Sequence, residues 1–98
     1  MAVMLLARYE VTDRDRFLEA FDGFEPARRR AGATAAGLVR SLDHSGTLVA
    51  LIEFASREAA EEFAMSAERA RTLKEAGVIT TTDEFLEVMR PITATAAA

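Results

Sequence analysis

The chain contains no cysteine, tryptophan, asparagine or glutamine, and only one tyrosine, one histidine and one lysine, against eleven arginines. Without cysteine there is no disulfide, no thiolate nucleophile and no soft metal site. The lone histidine, His44, cannot build a histidine cluster. It sits in Asp43-His44-Ser45-Gly46, a turn composition in which a solvated polar residue is expected. No apolar run approaches the roughly 20 residues of a membrane span, so none is expected. A net charge of −4 argues against nucleic acid, because binding phosphates requires a cationic excess. The opening Met1-Ala2-Val3-Met4-Leu5-Leu6-Ala7-Arg8 lacks a basic leader and reads as a strand, not a signal peptide, so a cytoplasmic protein is expected. Arginine and alanine in place of lysine and asparagine suggest a GC-rich, bacterial genome.

What is present is a half-hidden repeat at an offset of 43 residues. Glu10 to Arg16 (E-V-T-D-R-D-R) matches Glu53 to Ala59 (E-F-A-S-R-E-A), and Glu25-Pro26-Ala27-Arg28 matches Glu68-Arg69-Ala70-Arg71. Each half then passes an Ala-Gly pair, Ala31-Gly32 and Ala76-Gly77. Ninety-eight residues suffice for one domain and one small core. Two strand–helix–strand copies therefore predict βαββαβ: a four-stranded antiparallel sheet of ferredoxin-like α+β class with helices on one face.

The segments follow from local pattern. Val3 to Val11 reads as the first strand, and Thr12 with the acids after it reads as a helix start. Phe17, Phe21 and Phe24 recur at helical spacing, with Ala20, Ala27 and Ala31 near the same face. Gly23 and Pro26 predict a kink or restart between Asp22 and Pro26. Ala35 to Leu42 and Thr47 to Phe54 read as a hairpin. Ser56 and Ser66 read as caps of two further helices, the second ending at Gly77, and Asp83 to Ile92 reads as the last strand. Residues 1–92 are expected to form one domain and residues 93–98 a disordered tail. The first and third strands are apolar on both parities, yet helices cover only one face of such a sheet. The other face then needs apolar cover, and a second copy packed sheet on sheet is the simplest source.

Several stretches carry a family resemblance: the opening L-L-A-R-Y-E-V-T-D, R-R-R-A-G-A-T, the hairpin V-R-S-L-D-H-S-G-T-L-V-A-L-I-E-F, and A-S-R-E-A-A-E-E-F-A followed by A-G-V. Together they span residues 3 to 92, and the chain resembles the dimeric α+β barrel superfamily, in particular the small antibiotic-biosynthesis-monooxygenase-like proteins. That resemblance implies a homodimer and a range of activities: cofactor-free oxygenation, haem degradation, polyketide cyclisation, lactone isomerisation, or none assigned. Haem degradation there uses Asn, Trp and His. The chain has no Asn or Trp and its His lies in a turn, so that reading is discarded. The Trp and Asn of some quinone-forming members cannot be carried over either.

Candidate chemistry rests on polar groups within apolar strands, which are costly to bury unless paired. Glu53 would serve as a general base if it faced an apolar pocket. Arg40 or Arg8 could hold an enolate or carboxylate, and Tyr9 could orient a substrate oxygen. The plainer alternative makes Arg8, Arg40, Glu53 and Glu87 cross-strand ion pairs at edges or at the dimer interface. Arg28-Arg29-Arg30 reads as a solvated helix end, since successive helical residues diverge by about 100°. Phe17, Phe21, Phe24 and Phe63 read as core and as lining for any cavity between helices and sheet. Two functional classes stay open. One is an enzyme of cofactor-free oxygenation or cyclisation on an aromatic or polyketide substrate, using no cofactor or metal. The other is a non-catalytic homodimer that binds a small apolar or aromatic molecule or plays a structural role.

Overall fold

The computed structural model describes residues 1–95. Its order is β1 (Val3–Val11), α1 (Arg14–Gly23), α2 (Glu25–Arg30), β2 (Ala33–Arg40), β3 (Thr47–Phe54), α3 (Arg57–Ala64), α4 (Ala67–Glu75) and β4 (Val78–Glu87). The strands form one sheet in the order β2-β3-β1-β4, with every neighbouring pair antiparallel. This is the expected ferredoxin-like α+β sheet.

The first helical stretch breaks at the expected restart before Pro26, and the second is the expected pair of helices, each for an identifiable reason. Asp13 caps α1 by accepting from the Arg16 amide, and α1 ends at Gly23. Pro26 cannot donate to a preceding carbonyl but is well placed in the first turn of a new helix, so α2 starts at Glu25. Ser56 and Ser66 cap α3 and α4 through the amides of Ala59 and Arg69. The cap expected at Thr12 falls one residue later. Thr12 instead donates its hydroxyl to the Gly77 carbonyl, tying the start of the first half-repeat to the end of the second.

Two strand bounds differ from expectation. β2 runs from Ala33 to Arg40, not from Ala35 to Leu42, and accommodates an irregularity between Ala33 and Ala35. β4 runs from Val78, two residues after α4, to Glu87, not from Asp83 to Ile92. Thr80, Thr81 and Thr82 are β-branched residues suited to a strand, and each pairs with β1, while Ile79 falls at an irregularity opposite Glu10 and Val11. Residues 93–95 have no regular secondary structure; the rest of the expected tail lies outside the described residues.

The register assigns the two faces. Val3, Leu5, Ala7 and Tyr9 of β1 and Leu48, Ala50, Ile52 and Phe54 of β3 point to the helices and are buried. Phe17, Ala60, Phe63 and Ala76 complete the core from the helical side. Phe63 meets Phe54 at 5.5 Å and Phe24 at 6.1 Å between ring centroids, in tilted geometry. The opposite face carries Met4 and Leu6, Val49 and Leu51, and Val39, which is 54% exposed. Nothing within the described residues covers this second apolar surface.

Gly77 holds φ at +81°, and a Cβ added there would come within 2.7 Å of the Thr12 hydroxyl. Gly23 has ordinary helical backbone and open space around it. Gly77→Ala is expected to destabilise the fold by about 2 kcal/mol through strain and contact. Gly23→Ala should stabilise it by about 0.5–1 kcal/mol. Urea unfolding of the two variants checks both signs.

Candidate functional site

Between the helices and the sheet lies a cavity of about 30 Å³. Its apolar wall is built by the α1 stripe Phe17, Ala20, Phe21 and, at the junction, Phe24, which share one helical face at spacings of three and four. Ile52 and Phe63 close it from β3 and α3, and Leu73 and Ala76 from α4. Phe17 touches both Tyr9 and Phe21, at 5.1 and 6.3 Å between centroids. The four expected phenylalanines thus meet at one place. The volume suits a single water, so a ring-sized occupant requires lining side chains to move.

The polar wall is Tyr9, Arg28 and Arg69. Arg69 is 5% exposed and binds Asp83 through two parallel contacts, Nη1 to Oδ2 at 2.9 Å and Nη2 to Oδ1 at 2.7 Å. This fork is the strong geometry for a guanidinium and a carboxylate. Asp83 has its backbone on the edge strand, but its side chain is only 24% exposed. Arg69 Nη1 also donates to the Ala64 carbonyl at the end of α3, and Nη2 donates to the Tyr9 hydroxyl at 3.2 Å.

Arg28 is equally buried, at 5% exposed, but is held differently. Its Nη1 donates to the Phe21 carbonyl at 2.7 Å and its guanidinium lies 3.9 Å above the Phe21 ring. It forms no ion pair among the described residues. The Nε of each arginine is buried without a hydrogen-bond partner. Each half-repeat thus uses an arginine of its second helix to bond a carbonyl near the C-terminus of its first, where a cation opposes the helix dipole. Only the second half then neutralises that arginine with a carboxylate.

Burial raises the Tyr9 pKa above its ordinary value of 10, and the adjacent Arg69 charge and hydrogen bond only partly oppose this. Desolvation lowers that of Arg28. For Arg69 desolvation also lowers it, but the bonds to Asp83 and Tyr9 outweigh that, and the net direction is upward.

The four candidate catalytic residues do not converge. Tyr9 lies in the cavity wall. Glu53 lies on the opposite face of the sheet, half-buried, where its carboxylate accepts from the Thr34 hydroxyl at 2.9 Å. The apolar pocket on which its role as base depended is therefore not in front of it. Arg8 points to that same open face and is exposed, and Arg40 is exposed near the hairpin turn. Two members of the polar wall, Arg28 and Arg69, were not assigned to a site from sequence, and Arg28, read there as part of a solvated helix end, is instead buried. Arg28 continues the inward series Phe17, Phe21, Phe24 by four residues. Arg69 precedes Leu73 and Ala76 by four and seven. These spacings were the available signal, but a charged residue on an apolar stripe reads by default as solvated.

No protein-family model matches the sequence, and no curated protein matches it. Solved structures do match the fold. SnoaB, a cofactor-independent oxygenase from Streptomyces nogalater, superposes with a TM-score of 0.74 at 14% identity, covering 95% of this chain and 98% of that one. Rv0793 from Mycobacterium tuberculosis gives 0.67 at 20% identity, covering 98% and 100%. A protein provisionally named an antibiotic biosynthesis monooxygenase from Caulobacter crescentus gives 0.71 at 18%, covering 91% of each. The chain has the fold of the antibiotic-biosynthesis-monooxygenase-like proteins. No helix among the described residues is long and apolar enough to cross a membrane.

Tyr9 is the only tyrosine and tryptophan is absent, so ultraviolet titration reads this one phenol. Its midpoint should lie above 10 in the folded protein and fall to about 10 in urea. Between those values the unfolded chain has lost a proton that the folded one keeps, so stability present below pH 10 is lost as pH rises through the window. Alkaline urea titrations should show that part of the loss disappearing in Tyr9→Phe.

Proposed function

We propose that the protein is a small-molecule enzyme of the antibiotic-biosynthesis-monooxygenase-like type, acting without a cofactor on an aromatic or polyketide substrate held between helices and sheet. The observation that carries this reading is an aromatic-lined cavity with a phenol and two buried guanidiniums along one wall. Such a wall favours an anionic form of the substrate, as oxygenation of an enolisable or phenolic carbon requires. The acidic carbon gives up its proton to water to form the carbanion, and water returns one to the peroxide anion formed next. Dioxygen then forms a carbon–oxygen bond and is reduced to a hydroperoxide, and elimination of water leaves a carbonyl. Cyclisation would begin from the same anion, with carbon–carbon bond formation in place of oxygen addition. In this reading Tyr9 orients the substrate oxygen, while Glu53 and Arg8 serve the open sheet face. The small volume favours a second reading, a binding or structural dimer without turnover.

Oxygen uptake with enolisable polycyclic ketones separates the two. The enzyme reading expects consumption of one dioxygen per product and its loss in Ala20→Phe, which fills the cavity. No uptake with any member of such a panel, together with retained binding, would sustain the second reading instead.

We further propose a homodimer formed through the open sheet face. The half-buried Leu6, Val49 and Leu51 and the exposed Val39 form a continuous apolar surface there, and such surfaces rarely stay bare in water. Sedimentation should give a dimer for the native chain. Leu51→Arg should shift it toward monomer while the helix-side core, and hence the circular dichroism spectrum, is retained.

A further inference from the structure

We infer that the cavity's ligand presents an anionic oxygen, carboxylate, phenolate or enolate, to Arg28 and Tyr9; this rests on the cavity being the substrate site. Three donors at this wall lack acceptors among the described residues, the Nε–H of Arg28, the Nε–H of Arg69 and the Tyr9 hydroxyl, and Arg28 alone of the two arginines also lacks a carboxylate. Arg28 is 95% buried by its 5% exposure, makes one hydrogen bond, to a neutral carbonyl, and keeps a buried Nε–H without a partner. Tyr9 is 3% exposed; its oxygen accepts from Arg69, and its own hydroxyl proton has no acceptor among the described residues. Buried donors are nearly always paired, because leaving one unpaired forfeits its hydration.

The two arginines divide the work. Arg69 spends its charge on Asp83 and uses its remaining Nη contacts to fix α3 and the Tyr9 oxygen. An incoming anion at Arg69 would meet the Asp83 carboxylate. Arg28 carries no such partner, and its nearest acids, Glu25 and Asp22, act on it only through space. The helix-end carbonyl compensates part of its charge and leaves the rest for a ligand. Phe21, beneath the guanidinium, and Phe17 and Phe24 supply the flat apolar surface on which the body of an aromatic anion would lie.

Calorimetry with 2-naphthoate and its uncharged isostere 2-naphthamide tests this on the full-length protein. Naphthoate should bind more tightly. Arg28→Met should lower its affinity by about tenfold to a hundredfold while leaving naphthamide within about twofold. Arg28→Lys should retain part of the preference, since the charge persists without the fork. Equal binding of the two probes to the native protein would overturn the inference and leave the cavity standing as a site. So would a preference that survives in folded Arg28→Met. Binding of neither would overturn the cavity reading itself. If Arg28→Met fails to fold, the native protein decides: naphthoate should raise the Tyr9 titration midpoint, by accepting its proton, and an unmoved midpoint overturns the assignment.

Discussion

Among the described residues, the Arg69 guanidinium bonds more elements than any other side chain. It lies on α4, bonds the end of α3, forks onto Asp83 of the edge strand β4 and holds the phenol of β1. A buried charge so placed is stabilising only while complete. Removing one partner of a buried pair typically costs about 3–5 kcal/mol, because the other is left desolvated and alone. Alongside the apolar core, this set of contacts ties two helices to two strands. The cavity exists at its edge, where the polar network stops and the phenylalanines begin.

The two halves of the chain repeat in structure as well as in sequence. Asp13 and Ser56, 43 residues apart, cap equivalent helices, and Gly32 and Gly77 turn the chain with positive φ into equivalent strands. Against that symmetry the electrostatics differ. One half closes its arginine with a carboxylate and the other leaves it facing an apolar hollow. The two halves thus differ in charge as well as in helix length, and the difference in charge falls at the cavity.

Much of the fold was legible because it depends on local pattern. The bounds of β1 and β3, the caps at Ser56 and Ser66, the break before Pro26 and the inward phenylalanines all follow from residue type and spacing. β4 was misplaced because its first half is polar, and only pairing with β1 makes Thr80-Thr81-Thr82 a strand. The site was less legible. Tyr9 could be picked out as a polar group on an apolar strand. Arg28 and Arg69 could not, because a charged residue on an apolar helical stripe reads by default as solvated, and Asp83 takes its meaning from a helix packed against its strand. Glu53 looked like a buried acid on an apolar strand, and strand parity was the information that sent it to the other face.

Ala76 and Gly77 alone join α4 to β4. Side chains alternate along a strand, so the face that Asp83 takes is fixed by counting from that joint. One residue gained or lost between Gly77 and Asp83 would turn the carboxylate away from the helices and leave Arg69 without its counter-ion. The turn from Ser41 to Gly46 carries no such constraint, since it joins two strands already in register. Length variation over the history of this chain is therefore expected to collect at that hairpin and to be purged at the helix–strand joint, so the two connections should age at different rates.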